Sequence, residues 1–313
     1  MNWVKPSPPP VTELPRITFN EKTMTSDLTT ESPITDADVE SYHDQGFLVV
    51  PGLVSDAEVE SLRADALHIC RGGYPHDKLE TMPSTTSDDE ALRNFLCIHF
   101  PHKISPLMRE SGVCHEGVAH VLSRLIGPDV KCMQSMLFIK PPGFQGQAWH
   151  QDEIYIPTRD QSLTGAWIAL DDATVENGCL YVLPGSNKGV LYEQRVHENP
   201  EEFDQAAESY GFDDSGEVPV VVKAGDVVFF NGYLLHRSRK NRSQTYRRVL
   251  VNHYMNAWSR LPWQTREGET AARADYRDII MVHGEDPYAW QGLEDRADIG
   301  LRQCKALIES QEA

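Results

Sequence analysis

No run of apolar residues in this chain approaches the length of a membrane span, and no basic segment leads into an apolar one near its start. Neither a transmembrane helix nor a secretory signal is therefore expected. Positive charge is scarce as well. Lys and Arg number 29 against 47 Asp and Glu, leaving a net charge of −18 and a pI near 5.0. A surface that acidic repels phosphate backbones and anionic headgroups at long range, which argues against nucleic acid or a membrane as partner. Cysteine pairs are missing too: Cys70, Cys97, Cys114, Cys132, Cys179 and Cys304 show no C-x-x-C spacing. That pattern excludes a disulfide framework or a zinc knuckle and points to reduced thiols in a cytoplasmic setting. The last residues, Ser310-Gln311-Glu312-Ala313, are not the peroxisomal tripeptide address.

What is present suits a folded domain: 313 residues, 40% of them hydrophobic and 24% charged. Residues 1–32, with Pro8-Pro9-Pro10 and many Ser and Thr, carry no sustained period and read as a disordered tail. From 33 the chain reads as one domain to 313, opening with a helical flank over 33–129. Thr35 is placed to cap a first helix that ends before Gly46, and Phe47-Leu48-Val49-Val50 reads as a buried strand. Ser55 or Asp56 caps a second helix, whose apolar face runs through Val59, Leu62, Ala66 and Ile69. Between about 130 and 256 the texture changes to short β-branched or aromatic runs: Met133–Ile139, Ala148–Ile156, Gly165–Leu170, Cys179–Leu183, Val218–Val222, Val227–Phe230 and Tyr246–Met255. Turns such as Pro141-Pro142-Gly143 and Asn231-Gly232 separate them, which indicates an all-β sandwich or barrel. The acidic stretch over 190–216 is long for a plain connection and reads as a lid or binding loop. Residues 257–313, including Tyr276, Ile279, Ile280 and Met281, read as a helical extension that packs on the core, the barrel mouth or a partner subunit.

Three segments carry chemistry. In Trp149-His150-Gln151-Asp152, an extended backbone puts His150 and Asp152 on one face, where imidazole and carboxylate reach a common point. With one more histidine, such a pair makes the facial triad of non-haem Fe(II) sites; alone, it is most often two polar side chains on a surface strand. Val227-Val228-Phe229-Phe230-Asn231-Gly232 leads to His236 at the mouth of the next strand, where barrel rims bring distant strand ends together. The strand Tyr246-Arg247-Arg248-Val249-Leu250-Val251 carries two adjacent arginines, so one faces inward if the other faces water. An inward guanidinium requires an anion and matches a carboxylate bidentately; periodicity leaves open which arginine it is.

These segments occur in an order that resembles the phytanoyl-CoA dioxygenase family of Fe(II)/2-oxoglutarate-dependent oxygenases. The resemblance spans about residues 36–256. It rests on Tyr42-His43-Asp44-Gln45-Gly46-Phe47, on Gln134–Gly143, and on His150-Gln151-Asp152. Gly165–Leu170, Glu176-Asn177-Gly178-Cys179-Leu180 with Leu183-Pro184-Gly185-Ser186-Asn187, and Gly225-Asp226-Val227 with His236-Arg237-Ser238 complete it. Asn187 stands where the family usually has His, a departure read here as structural. The retained Asp152 speaks against the chloride-binding variant of the fold.

The resemblance implies a mainly β architecture, a double-stranded β-helix (jelly-roll, cupin-like) core over about 130–256 with flanking α-helices. It implies His150, Asp152 and His236 as metal and catalytic residues, and Arg247 with Ser238 as the clamp on the far carboxylate of the cosubstrate. Gln134, Met136 and Trp167 are implied as walls of the cosubstrate pocket, while Tyr155 and Arg159 are candidates to meet substrate or are packing residues. The cofactors implied are Fe(II), 2-oxoglutarate and O2, with ascorbate as a reductant in vitro, and the products are succinate, CO2 and a small molecule hydroxylated at an aliphatic C–H. Secondary metabolites, amino acids and acyl-CoA thioesters are all open as substrates, and a basic run at Arg237, Arg239, Lys240 and Arg242 is a possible seat for CoA or a solvated turn. Two rival readings are a non-catalytic small-acid sensor and a zinc hydrolase on the same triad. The second needs a general base, and Glu153 would point away from the site on a strand.

Overall fold

A computed structural model describes residues 32–259, 280–292 and 298–303. The expected tail lies outside the described residues, as do Tyr276, Ile279 and Cys304. The N-terminal flank holds α1 (Asp36–Gln45), β1 (Phe47–Val50), α2 (Asp56–Cys70), α3 (Asp88–Arg93), β2 (Phe95–His99) and α4 (Glu116–Ile126), with a π-helical turn at Met108–Val113. The first three helices start with reciprocal capping boxes, Thr35 with Asp38, Ser55 with Glu58 and Ser87 with Glu90, each satisfying two backbone donors. Gly46 closes α1 in the left-handed region, φ 84°, which is why the helix stops there and β1 follows at once. β2 was not anticipated from the sequence.

The β region contains β3 (Val130–Lys140), β4 (Gln147–His150), β5 (Thr164–Ala169), β6 (Leu180–Val182), β7 (Gln194–Arg195), β8 (Glu208–Ser209), β9 (Val218–Val220), β10 (Val227–Asn231), β11 (His236–Ser238) and β12 (Arg247–Asn256). Two further strands, β13 (Ile280–His283) and β14 (Gly300–Gln303), follow. The large sheet runs β1-β10-β5-β12-β3-β2-β14, with β13 also on β3, and the small one runs β4-β11-β6-β9. All these pairings are antiparallel, as a jelly roll requires.

Period-two alternation gives the large sheet two apolar faces. Ala166, Ile168, Val227, Phe229, Leu137, Ile139 and Leu250 pack outward with Leu62, Ile69 and Leu122 of the helices. Trp167, Ala169, Val228, Phe230, Val249 and Val251 pack inward against Trp149, Val182 and Leu235 from the small sheet and its approach. Between His253 and Tyr254 the register of β12 on β3 slips by one, with Gln134 opposite His253 and Cys132 opposite Tyr254. This bulge keeps Gln134 and His253 on the inner face while Cys132 and Tyr254 join the outer core.

The helical extension expected over 257–313 is corrected where residues are described. They hold β13, β14 and one 3-10 turn, Ala289–Gln291, with Ile280 and Met281 paired to Cys132 and Lys131. The reason lies in β3, whose edge is covered by β2 only along Met136–Phe138. The remaining edge, Val130–Cys132, takes Ile280-Met281-Val282, with β-branched Ile280 and Val282, as a strand.

Candidate active site

His150 ends β4 and His236 begins β11, and the two face each other as Cα partners in the small sheet. Each ring donates its Nδ1 hydrogen to the carbonyl two residues earlier, His150 to Ala148 at 2.8 Å and His236 to Leu234 at 3.0 Å. A carbonyl only accepts, so both tautomers are fixed and both Nε2 lone pairs are left for a Lewis acid. Burial, with His150 alongside, pushes His236 down to about 4, so it stays neutral at physiological pH. Asp152 Oδ1 lies 3.7 Å from His150 Nε2 and 3.8 Å from His236 Nε2. The three donor atoms lie within 4.8 Å of one another. Burial alone would raise the Asp152 carboxyl, but His253, His236 and His150 outweigh it and hold it well below the usual carboxylate range.

Asp152 reaches this point by a different path from the one expected. The strand stops at His150, and Asp152–Ile154 is a 3-10 turn. Gln151 forces the break: its side chain donates to Val190 O and Tyr233 O at 2.8 and 2.6 Å and accepts from Tyr192 N at 2.9 Å. Glu153 therefore occupies no opposite strand face. It is buried inside the turn, where it accepts from the Thr158 backbone and hydroxyl.

A cavity of about 490 Å³ opens between the two sheets beside the triad. Gln134, Met136, Trp167, Ser238 and Arg247 all line it. Arg248 points away and pairs with Asp171 at 2.8 Å, so Arg247 is the inward arginine. Arg247 is 5% exposed, its Nε has no hydrogen-bond partner, and its guanidinium stands 5.5 Å over the Trp167 ring. Burial lowers it to about 10, still a cation at neutral pH. Lys140, its Cα partner on β3, is a second buried cation at the same end, and sequence reading passed over it as a strand residue. Burial and then the Arg247 charge push its ammonium well below the ordinary lysine value. Ser238 Oγ accepts from Lys140 Nζ at 3.0 Å and from Gln147 N at 3.2 Å, which leaves its own proton to donate. One end of the cavity thus offers three donors and positive charge, and among the described residues no carboxylate hydrogen-bonds to Arg247 or Lys140.

The likeness to known proteins agrees with this geometry. The family model described as phytanoyl-CoA dioxygenase (PhyH) matches residues 42–249. The chain belongs to that family. Among its relatives, the peroxisomal phytanoyl-CoA dioxygenase of Rattus norvegicus is 29% identical over 280 residues, covering 85% of this chain and 80% of that one. Two solved structures show the fold. The non-haem alpha-ketoglutarate-dependent carbocyclase SnoK from nogalamycin biosynthesis superposes with TM-score 0.56 at 24% identity, covering 75% of this chain and 89% of that one. EvdO2 from Micromonospora carbonacea var. aurantiaca, complexed with 2-oxoglutarate, gives TM-score 0.58 at 22% identity, covering 74% and 95%.

In this phytanoyl-CoA dioxygenase family member, two features of the site had no motif to announce them. His253, on the inner face of β12, donates from Nε2 to Asp152 Oδ2 at 2.8 Å. Arg302 of β14 reaches the cavity and pairs with Asp204 at 2.8 Å, so the C-terminal segment contributes to the mouth. The 190–216 stretch borders the site: Asp204, Ala206 and Ala207 line the cavity, and β7 pairs with β8. Tyr155 also lines the cavity, its hydroxyl accepting from Gln194 at 2.7 Å, whereas Arg159 lies off it with its backbone bonded to Ser259. Asn187 sits elsewhere, donating to His43 O at 3.0 Å, a structural tie to the end of α1. The basic run forms no free patch: Arg237 and Arg239 share Glu217 at 2.5 Å each, and Arg242 pairs with Glu202. No helix among the described residues is long and apolar enough to cross a membrane.

Proposed function

We propose that this protein is an Fe(II)- and 2-oxoglutarate-dependent dioxygenase that hydroxylates an aliphatic C–H of a small molecule. The observation that carries the reading is a metal-ready triad sharing one cavity with a buried arginine that has no anion of its own. The donor set fits iron: two imidazoles whose Nε2 atoms carry no hydrogen bond and an ionised carboxylate are the two-histidine, one-carboxylate arrangement, which leaves positions open for cosubstrate and O2. Iron bound there supplies O2 activation, driven by cleavage of the 2-oxo acid to succinate and CO2. The chain's own residues hold and select. His150, Asp152 and His236 would hold the metal, while Arg247, Ser238 and Lys140 would take the far carboxylate of the cosubstrate by charge and hydrogen bonds. Trp167, Met136 and Val251 would wall that carboxylate off from water, which strengthens the attraction. SnoK and EvdO2, described with this cosubstrate, support the same assignment by fold.

The rivals explain less. A zinc hydrolase leaves Arg247 without a purpose, and Glu153 is not placed to serve as its base, because it is buried in the turn with Oε1 on Thr158 and does not line the cavity. A sensor leaves unused the coordination positions that the triad keeps open.

The test is succinate formation from 2-oxoglutarate by anaerobically purified protein given Fe(II), ascorbate and air, against the His150→Ala/Asp152→Ala double variant. Turnover lost in the variant supports the reading. If the metal-loaded protein neither turns over nor binds 2-oxoglutarate, the reading fails.

A further inference from the structure

We infer that His253 is a positioning residue for the metal: its ring N–H occupies one oxygen of Asp152, so that the carboxylate meets the metal through the other oxygen alone. The inference rests on the oxygenase reading above. Asp152 is divided by its surroundings. Oδ2 is bonded to His253 Nε2 at 2.8 Å, whereas Oδ1 stands 3.7 and 3.8 Å from the two histidine nitrogens, too far for a hydrogen bond and within one ligand cluster with them. A carboxylate with both oxygens free swings between monodentate and bidentate attachment, and the second mode fills a coordination position that O2 or cosubstrate requires.

The placement of His253 suits this task and little else. It is 2% exposed, and its Nδ1 is buried without a hydrogen-bond partner. A hydrogen on that nitrogen would have nothing to donate to, so the proton sits on Nε2, facing Asp152. Asp152 is thus the one polar partner of the ring among the described residues. His253 also shares the inward parity of Arg247, Val249 and Val251, so a single rigid strand carries both the anion-holding arginine and the residue that sets the carboxylate.

The experiment measures Fe(II) affinity anaerobically by competition with a chelating dye, and then the visible charge-transfer band on adding 2-oxoglutarate. His253→Phe is expected to weaken Fe(II) binding roughly 10- to 100-fold, the range for lost outer-sphere partners, and to diminish the band. His253→Gln keeps an N–H at nearly the same reach and is expected to stay within about threefold of wild type. Where the Phe variant does not fold, His253→Asn, which carries the same amide on a shorter arm, replaces it and is expected to lose affinity relative to Gln. Equal affinity in the Phe and wild-type proteins overturns the inference. Equal losses in Gln and Phe overturn it too, because the N–H would then be irrelevant. A wild-type protein that binds no Fe(II), or shows no band with 2-oxoglutarate, sinks the oxygenase reading itself.

Discussion

Arg247 is held in a state that makes sense only with a ligand. A buried guanidinium without a carboxylate costs several kcal/mol of desolvation, and stacking over Trp167 recovers a small part of it. Two effects of Arg247→Met should therefore have opposite sign. The ligand-free protein should become more stable by about 1–3 kcal/mol, a rise of a few degrees in Tm, because an uncompensated charge is replaced by an apolar chain. Affinity for 2-oxoglutarate should fall roughly 100-fold, about 3 kcal/mol, as a charged hydrogen-bonded partner is lost. Calorimetry and a titration check the pair; a destabilised variant with intact affinity contradicts the assignment. The pH dependence follows with a definite sign. Burial lowers Arg247 to about 10, so the cation is present below that value and 2-oxoglutarate binding should weaken as pH rises through it. At this scale the sequence was informative where parity or order carries meaning and silent where contact is remote. Period two said that one of Arg247 and Arg248 faces inward, and Asp171 decided which. His253 matters through a residue 101 positions away, which no local pattern encodes. The available signal was parity: 253 shares the face of 247. Lys140 ends a strand before Pro141-Pro142, a place where lysines are usually solvated.

Among the elements, the C-terminal strands and the end of β4 depart most from expectation. The 190–216 stretch is tied by ion pairs, Asp204 to Arg302 of β14 and Glu202 to Arg242, and just beyond it Glu217 pairs with Arg237 and Arg239 beside His236. Glu217 holds two guanidinia at once, so Glu217→Gln should release both. Amide exchange over residues 194–209 should then accelerate by about an order of magnitude, while β12 in the middle of the large sheet stays protected. Exchange that speeds up equally in both segments would mean global destabilisation. The length and acidity of this stretch set it apart in the sequence, but its hairpin pairs only two residues a side and leaves too weak a period to read. The end of β4 was misplaced for a physical reason as well: the apolar run continues to Ile156, yet the three hydrogen bonds of the Gln151 side chain break the strand at His150. β13 forms because β3 is longer than its neighbour β2, and β14 pairs along the other edge of β2, both vacancies visible only after assembly.

For the whole molecule, charge bears on substrate choice. The net charge is −18, and the arginines nearest the mouth are already matched by Glu217, Asp214, Glu202 and Asp204. A CoA thioester, with its several phosphates, approaches against that field. Any turnover supported by an acyl-CoA should accordingly rise with ionic strength, since about 1 M salt shortens the screening length to about 3 Å from about 10 Å at 0.1 M. Turnover of an uncharged substrate should not rise, and an acyl-CoA rate that falls with salt would instead reveal a cationic seat. The division of the site between the sheets has one more consequence. His150 and His236 belong to the small sheet and Asp152 to the turn that follows it, whereas Arg247, Lys140 and Trp167 belong to the large one. A diacid joined to the metal at one end and to Arg247 at the other would act as a rivet through the sandwich, so this enzyme's resistance to being pulled apart would be borrowed from its cosubstrate and surrendered at each turnover.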